Sequence, residues 1–152
     1  SQMNEISILH NFIIEEFRNN DLVNTISIVP TLMIDTNQFN IYPLVNVDLV
    51  QSEVTEQQVI ASFIITVVQQ RDTIPNKTDN KLLSNTNYLN NIDETHSILQ
   101  RFLNVLMLQN NNENIELETQ NKIKILKEWN RNTLDGVQLN LDLSIPNKGG
   151  SC

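Results

Sequence analysis

Residues 137–145 restrict the fold more than any other stretch of this chain. Val137, Leu139, Leu141, Leu143 and Ile145 alternate with Gln138, Asn140, Asp142 and Ser144, the period of a strand that buries one face and keeps the other polar. A chain with this ending needs a sheet and an apolar layer to cover it. Pro146 stops the strand, because proline lacks the N–H that a ladder requires. Just before it, Asn132-Thr133-Leu134-Asp135-Gly136 has the composition of a tight turn, in which Gly136 is expected to supply a positive φ at no steric cost.

The earlier residues supply the covering layer and more of the sheet. Asn4 can cap a first helix, in which Ile6, Leu9, Ile13 and Phe17 recur at helical spacing until Asn19-Asn20-Asp21 ends it. Residues 26–29 and 32–34 are short β-prone pieces around Pro30 and predict a hairpin. Residues 41–50 read as a strand with Val45, Val47 and Leu49 on one face; Asn46 and Asp48 on the other are expected to meet water or a partner. After a polar connection at 52–58, residues 59–68 include the run Phe63-Ile64-Ile65-Thr66-Val67-Val68, which predicts a central strand covered on both faces.

Residues 71–91 are polar and contain Pro75, so a long loop is expected there, of the length that is usually functional or disordered. A second helix follows, with Asp93 and Glu94 in its first turn, a stripe of Leu99, Phe102, Leu103, Leu106 and Met107, and a close at Asn110-Asn111-Asn112. Ile115, Leu117 and Thr119 alternate with Glu116 and Glu118, and Ile123 and Ile125 extend the sheet. Residues 146–152 read as a flexible tail. The expectation is one α+β domain over residues 1–152, a mainly antiparallel sheet with two helices packed on one face.

Composition narrows the function. A length of 152 residues fits a single domain. Asparagine is abundant and Ala61 is the sole alanine, a usage that points to an AT-rich genome. The net charge of −8 argues against a general nucleic-acid-binding surface, which needs clustered Lys and Arg to displace phosphate counterions. Cys152 is the only cysteine, so neither an intrachain disulfide nor a cysteine zinc cluster is expected, and a reducing compartment fits. No apolar run approaches the roughly 20 residues of a membrane span, and Ser1-Gln2-Met3-Asn4 lacks the regions of a signal peptide. The expectation is a soluble protein, made in a cytoplasm, with no membrane partner.

Reactive chemistry is sparse. The three glycines form no phosphate-binding loop, no serine nucleophile elbow is present, and Cys152 follows Gly149-Gly150-Ser151. No catalytic residue, cofactor or metal is expected. His10, one step from the apolar stripe of the first helix, and His96, in the first turn of the second, read as structural residues. Glu116 and Glu118 would sit about 7 Å apart on one strand face; a solvated face, an intersubunit salt bridge and a shared cation are the alternatives. Asp48 and Asp142 face either solvent or a Lys or Arg of a neighbouring copy. Lys122, Lys124, Lys127 and Arg131 form the cationic cluster around Trp129; a stacking platform for nucleic acid would want more aromatics and a basic surround, so Trp129 is expected to anchor a core edge or a protein contact. The candidate subunit contacts are Asp48, Trp129, Arg131, Asn140 and Asp142.

Asn11-Phe12-Ile13-Ile14, Ile41-Tyr42-Pro43-Leu44-Val45 and residues 129–147 resemble proteins that build the neck and tail of tailed bacteriophages. The layout is similar to the tail-terminator family over almost the whole chain: an N-terminal helix, a Tyr-Pro-led strand, an apolar strand, a helix and a last strand near the C-terminus. Residues 130–137 with Ser144-Ile145-Pro146 are similar to endings associated with crAss-like phages of gut bacteria. The long stretch 71–91 departs from the shorter terminators. The resemblance implies a virion protein without catalytic residues, forming a homo-oligomeric ring, usually of six or twelve copies. Portal, neck or tail ring proteins would lie beside it, and DNA would pass through a lumen without specific binding. On that reading, acidic side chains line the lumen and repel phosphate, and residues 71–91 order on assembly. The alternative is a soluble assembly factor or adaptor module not retained in the virion; an enzyme of unrecognised type is the third reading.

Overall fold

A computed structural model describes residues 4–36, 41–71, 87–108, 114–118, 121–129 and 134–148. In chain order they form α1 (Glu5–Arg18), β1 (Thr25–Ser27), a 3₁₀ turn (Thr31–Thr36), β2 (Leu44–Val54), β3 (Gln58–Gln70), α2 (Tyr88–Met107), β4 (Glu116–Leu117), β5 (Ile123–Trp129) and β6 (Leu134–Pro146). The six strands make one sheet in the order β1-β2-β3-β6, with β4 and β5 both on the outer side of β6. Every pairing is antiparallel except β1 with β2. This is the expected α+β fold.

The alternation in β6 sets its orientation. Val137, Leu139, Leu141, Leu143 and Ile145 are all buried, opposite Val67, Ile65, Phe63, Ala61 and Val59 of β3. Against this row lie Leu9, Ile13 and Phe17 of α1 and Ile98, Leu99, Phe102, Leu103 and Leu106 of α2, in one continuous apolar cluster. Both helices therefore cover the same face, and the Phe17 and Phe102 rings stack between them with centroids 4.7 Å apart. Burying each such side chain stabilises by about 1.5–3 kcal/mol. Among the described residues, the opposite face is covered at one end, by a second cluster of Ile34, Leu44, Val68, Leu126 and Leu134 with Tyr42 and Trp129 against it. For that reason β3 is not covered on both faces throughout: Ile60, Ser62 and Ile64 remain half-buried, while Thr66 and Val68 are buried.

Asn4 caps α1 as expected, its side-chain oxygen accepting from the Ser7 amide at 3.1 Å. Asn4→Ala should cost about 1 kcal/mol, read as a small drop in the urea midpoint with the circular dichroism of the folded state unchanged.

Several elements differ from the sequence expectation. Residues 32–34 lie in the 3₁₀ turn, so no hairpin forms with residues 26–29; β1 instead runs parallel to β2. The Asp48 carboxylate accepts from the Thr31 amide at 2.9 Å and the Thr31 hydroxyl at 2.7 Å, and capping of this kind favours a helical turn over extension. β2 starts after Pro43 and runs on to Val54, through residues read as a connection; Thr55 and Gln58 close the tip. α2 begins at Tyr88, ahead of Asp93, so residues 88–91 belong to the helix, and of the expected loop 72–86 lies outside the described residues. Residues 110–112 and 132–133 also lie outside them.

Gly136 is within β6 and has no positive φ. Its role is close approach: a Cβ at this position would lie 1.9 Å from the Val67 carbonyl oxygen. The start of the tail is also fastened. The Asn147 amide donates to Gln57 O at 2.9 Å, the Asn147 side chain donates to Thr55 O at 2.8 Å, and the Lys148 amide donates to Glu5 Oε1 at 3.2 Å.

Candidate functional site

The densest polar constellation sits where β3 ends, β6 begins and α2 begins. Asp135, fully buried, accepts two hydrogen bonds from Arg71, Nε to Oδ2 at 2.8 Å and Nη2 to Oδ1 at 2.7 Å, the planar fork matching the carboxylate. Asn91 of α2 donates to Gln70 O at 3.1 Å and lies 3.5 Å from Asp135 Oδ2. Asn87 donates to Asn91 Oδ1 at 3.2 Å. Tyr88 takes the Arg71 guanidinium over its ring at 5.1 Å and the Lys127 ammonium at 5.3 Å.

Those groups meet because β3 and β6 pair with Gln69 opposite Asp135, which puts Arg71, two residues on along the same face, diagonally across from the carboxylate, and because α2 starts at this end of the sheet. The donors and acceptors point at one another. Chemically the arrangement fastens three elements: it fixes the N-terminal turn of α2 to the ends of two central strands. Nothing in the spacing of Arg71 and Asp135, 64 residues apart, signals the pair beforehand.

A second network lies on the other side of the sheet end. Asn46, fully buried, accepts from the Ser27 hydroxyl at 2.6 Å and the Val29 amide at 3.1 Å and donates to Val29 O at 2.9 Å. With the Asp48 cap on Thr31, these bonds hold residues 27–31 over β2. Asn46 and Asp48 are thus engaged by residues 27–31 of the chain itself, where the sequence suggests water or a partner.

The candidate contact residues scatter. Asp48 is half-buried under the 3₁₀ turn, and Trp129 is half-buried against the second apolar cluster at the sheet end. Asn140 is exposed and Asp142 half-buried, both on the open face of β6. Arg131 lies outside the described residues, as does Cys152. The structure does not bring the described four together into one site. Glu116 and Glu118 are exposed, and Glu118 accepts from the Ser144 hydroxyl at 2.6 Å. His10 is half-buried beside Phe63, with ring centroids 6.3 Å apart, and His96 is half-buried on α2.

Among the described residues, no three of His, Cys, Asp and Glu group as metal ligands, and no helix is long and apolar enough to cross a membrane. A cleft of about 110 Å³ between the helices is lined by Glu16, Phe17, Arg101 and Phe102. A shallower groove of about 270 Å³ runs along Ile6, Leu49, Val50, Gln51 and Ser52.

That groove borders the exposed second half of β2. β1 pairs only with residues 44–46 of β2, and residues 49–54 are exposed without interruption. At the other side of the sheet β5 pairs only with β6, leaving its outer side at the sheet margin. Among the described residues, then, the sheet ends in two unlike unpaired edges. In comparisons with known proteins, no family model and no curated protein matches the chain.

Proposed function

We propose that this chain is a non-enzymatic structural protein of a tailed bacteriophage whose copies close into an oligomeric ring of the neck or tail. DNA passes through that ring without specific binding. The observation that carries the reading is the pair of unlike open edges, residues 49–54 of β2 and the outer side of β5. An edge strand offers a row of N–H and C=O groups to another chain. Two different edges on opposite sides of one sheet give each copy two different neighbours, the head-to-tail contact from which rings are built. The buried polar groups support the same reading, since Arg71, Asp135, Asn91 and Asn46 are all spent on fastening elements. The charge of −8 suits a channel along which phosphate slides.

Mass spectrometry of purified virions tests the proposal. The chain is expected at a stoichiometric copy number beside portal and tail proteins. Its absence from particles, with abundance in the infected cell, would instead favour an assembly factor.

A further inference from the structure

We infer that copies of this chain join by antiparallel pairing of the β5 edge of one copy with residues 49–54 of β2 in the next, so that the sheet continues from copy to copy. The inference rests on the proposed ring and names its interface. Charge separates the two edges. Glu53 and Glu56 are exposed at the β2 edge and its tip, and Lys122, Lys124 and Lys127 are exposed along the β5 edge. A symmetric pair of two β2 edges would set carboxylates against carboxylates, and a pair of two β5 edges would set lysines against lysines. Only the unlike pairing brings opposite charges together.

The register follows from what is already occupied. Since β1 takes residues 44–46, the free part of β2 lies toward the tip, with Leu49 level with Phe63 and Glu53 level with Ile60. β5 lies toward the other end, Ile123 being opposite Leu139 and so level with Ile65. Pairing the two edges therefore needs a displacement of about four residues along the strands, roughly 13 Å. Tilt of the strands relative to the ring axis absorbs such a displacement, as shear does in a closed barrel.

At that offset Lys122 falls opposite Glu53 and Lys124 opposite Gln51. All four lie on the face not covered by helices, because Glu53 and Gln51 pair with Ile60 and Ser62 and Lys124 pairs with Gln138. On the helix-covered face Ile125, 42% exposed, falls opposite Leu49, 40% exposed. The same offset thus matches charge with charge and covers two of the exposed apolar side chains. The bulge at Val50 lies within the free edge, and bulges of this kind limit indiscriminate edge pairing.

Two charge-reversed variants test the pairing: Glu53→Lys, and Lys122→Glu with Lys124→Glu. All three positions are exposed, so far-ultraviolet circular dichroism should match the parent. Multi-angle light scattering over a concentration series should show the parent chain assembling and each variant alone needing about tenfold more protein or staying monomeric. An equimolar mixture of the two variants should assemble again, because each supplies the edge the other now complements. If the parent assembles and both variants assemble equally well, the edge pairing is overturned and the ring stands on another surface. If the parent stays monomeric up to its solubility limit, alone and with purified tails, both the pairing and the ring fail.

Discussion

Gly136→Ala is expected to destabilise the domain by about 3 kcal/mol or more, enough to leave a marginal domain partly unfolded. Gly136 is buried in β6 between Val68 of β3 and Leu126 of β5. A Cβ there would lie 1.9 Å from Val67 O, 2.9 Å from Val67 C and 2.9 Å from Val68 Cα. All three are backbone atoms of a central strand, so no side-chain rotation relieves the clash. The two strands must separate locally, and they are held in register over the whole length from Gln58–Pro146 to Gln70–Leu134. The adjacent cluster of Leu44, Val68, Leu126 and Leu134 would loosen with them. Urea unfolding followed by Trp129 fluorescence and circular dichroism measures the loss. The control is Gln138→Ala, two residues along on the same face, which gives up one hydrogen bond to Thr66 Oγ1 and should cost about 1 kcal/mol. Equal midpoints for the two variants would sink the close-approach account.

Gly136 also marks the limit of what the sequence discloses. The alternation from Val137 to Ile145 was legible because a strand with one buried face writes its period into consecutive residues, and the helix stripes of α1 and α2 were legible for the same reason. The glycine's neighbours in the chain suggested a turn, but the steric demand on it comes from Val67 in a different strand. The 3₁₀ turn at residues 31–36 shows the same limit: Leu32, Met33 and Ile34 have the side chains of a strand, yet the capping carboxylate is Asp48, 17 residues on. Local propensity is a weak prior when a tertiary hydrogen bond opposes it.

The surroundings of the candidate contact residues were partly legible. Trp129 lies at a core edge, one of the two places its sequence neighbourhood suggests, while Asp48 caps Thr31 of its own chain. Residues 52–54, read as connection, continue β2 and form part of its free edge. That edge exists because β1 is short, and the pairing partner of a strand leaves no mark in its own residues.

Arg71→Ala is expected to cost about 3–5 kcal/mol, because it strips the guanidinium from a carboxylate with no access to water. Asp135→Ala should cost less, since Arg71 is 14% exposed at the end of the sheet, keeps the Tyr88 ring and can turn outward to solvent. That ordering distinguishes burial of charge from simple loss of a contact, which would make the two equal. A paired replacement, Arg71→Met with Asp135→Leu, should recover most of the loss, because neither buried charge then remains and the volume is filled. The double-mutant cycle is read from urea midpoints, and its coupling energy isolates the pair. Hydrogen exchange locates the effect. In Arg71→Ala the amides of the first turns of α2, anchored through Asn91 to Gln70 and Asp135, should lose protection before those around Leu99 and Phe102. Uniform loss along α2 would mean that the pair supports the whole helix, and a midpoint shift no larger than that of Asn4→Ala would remove the pair from the account of what holds the sheet end together.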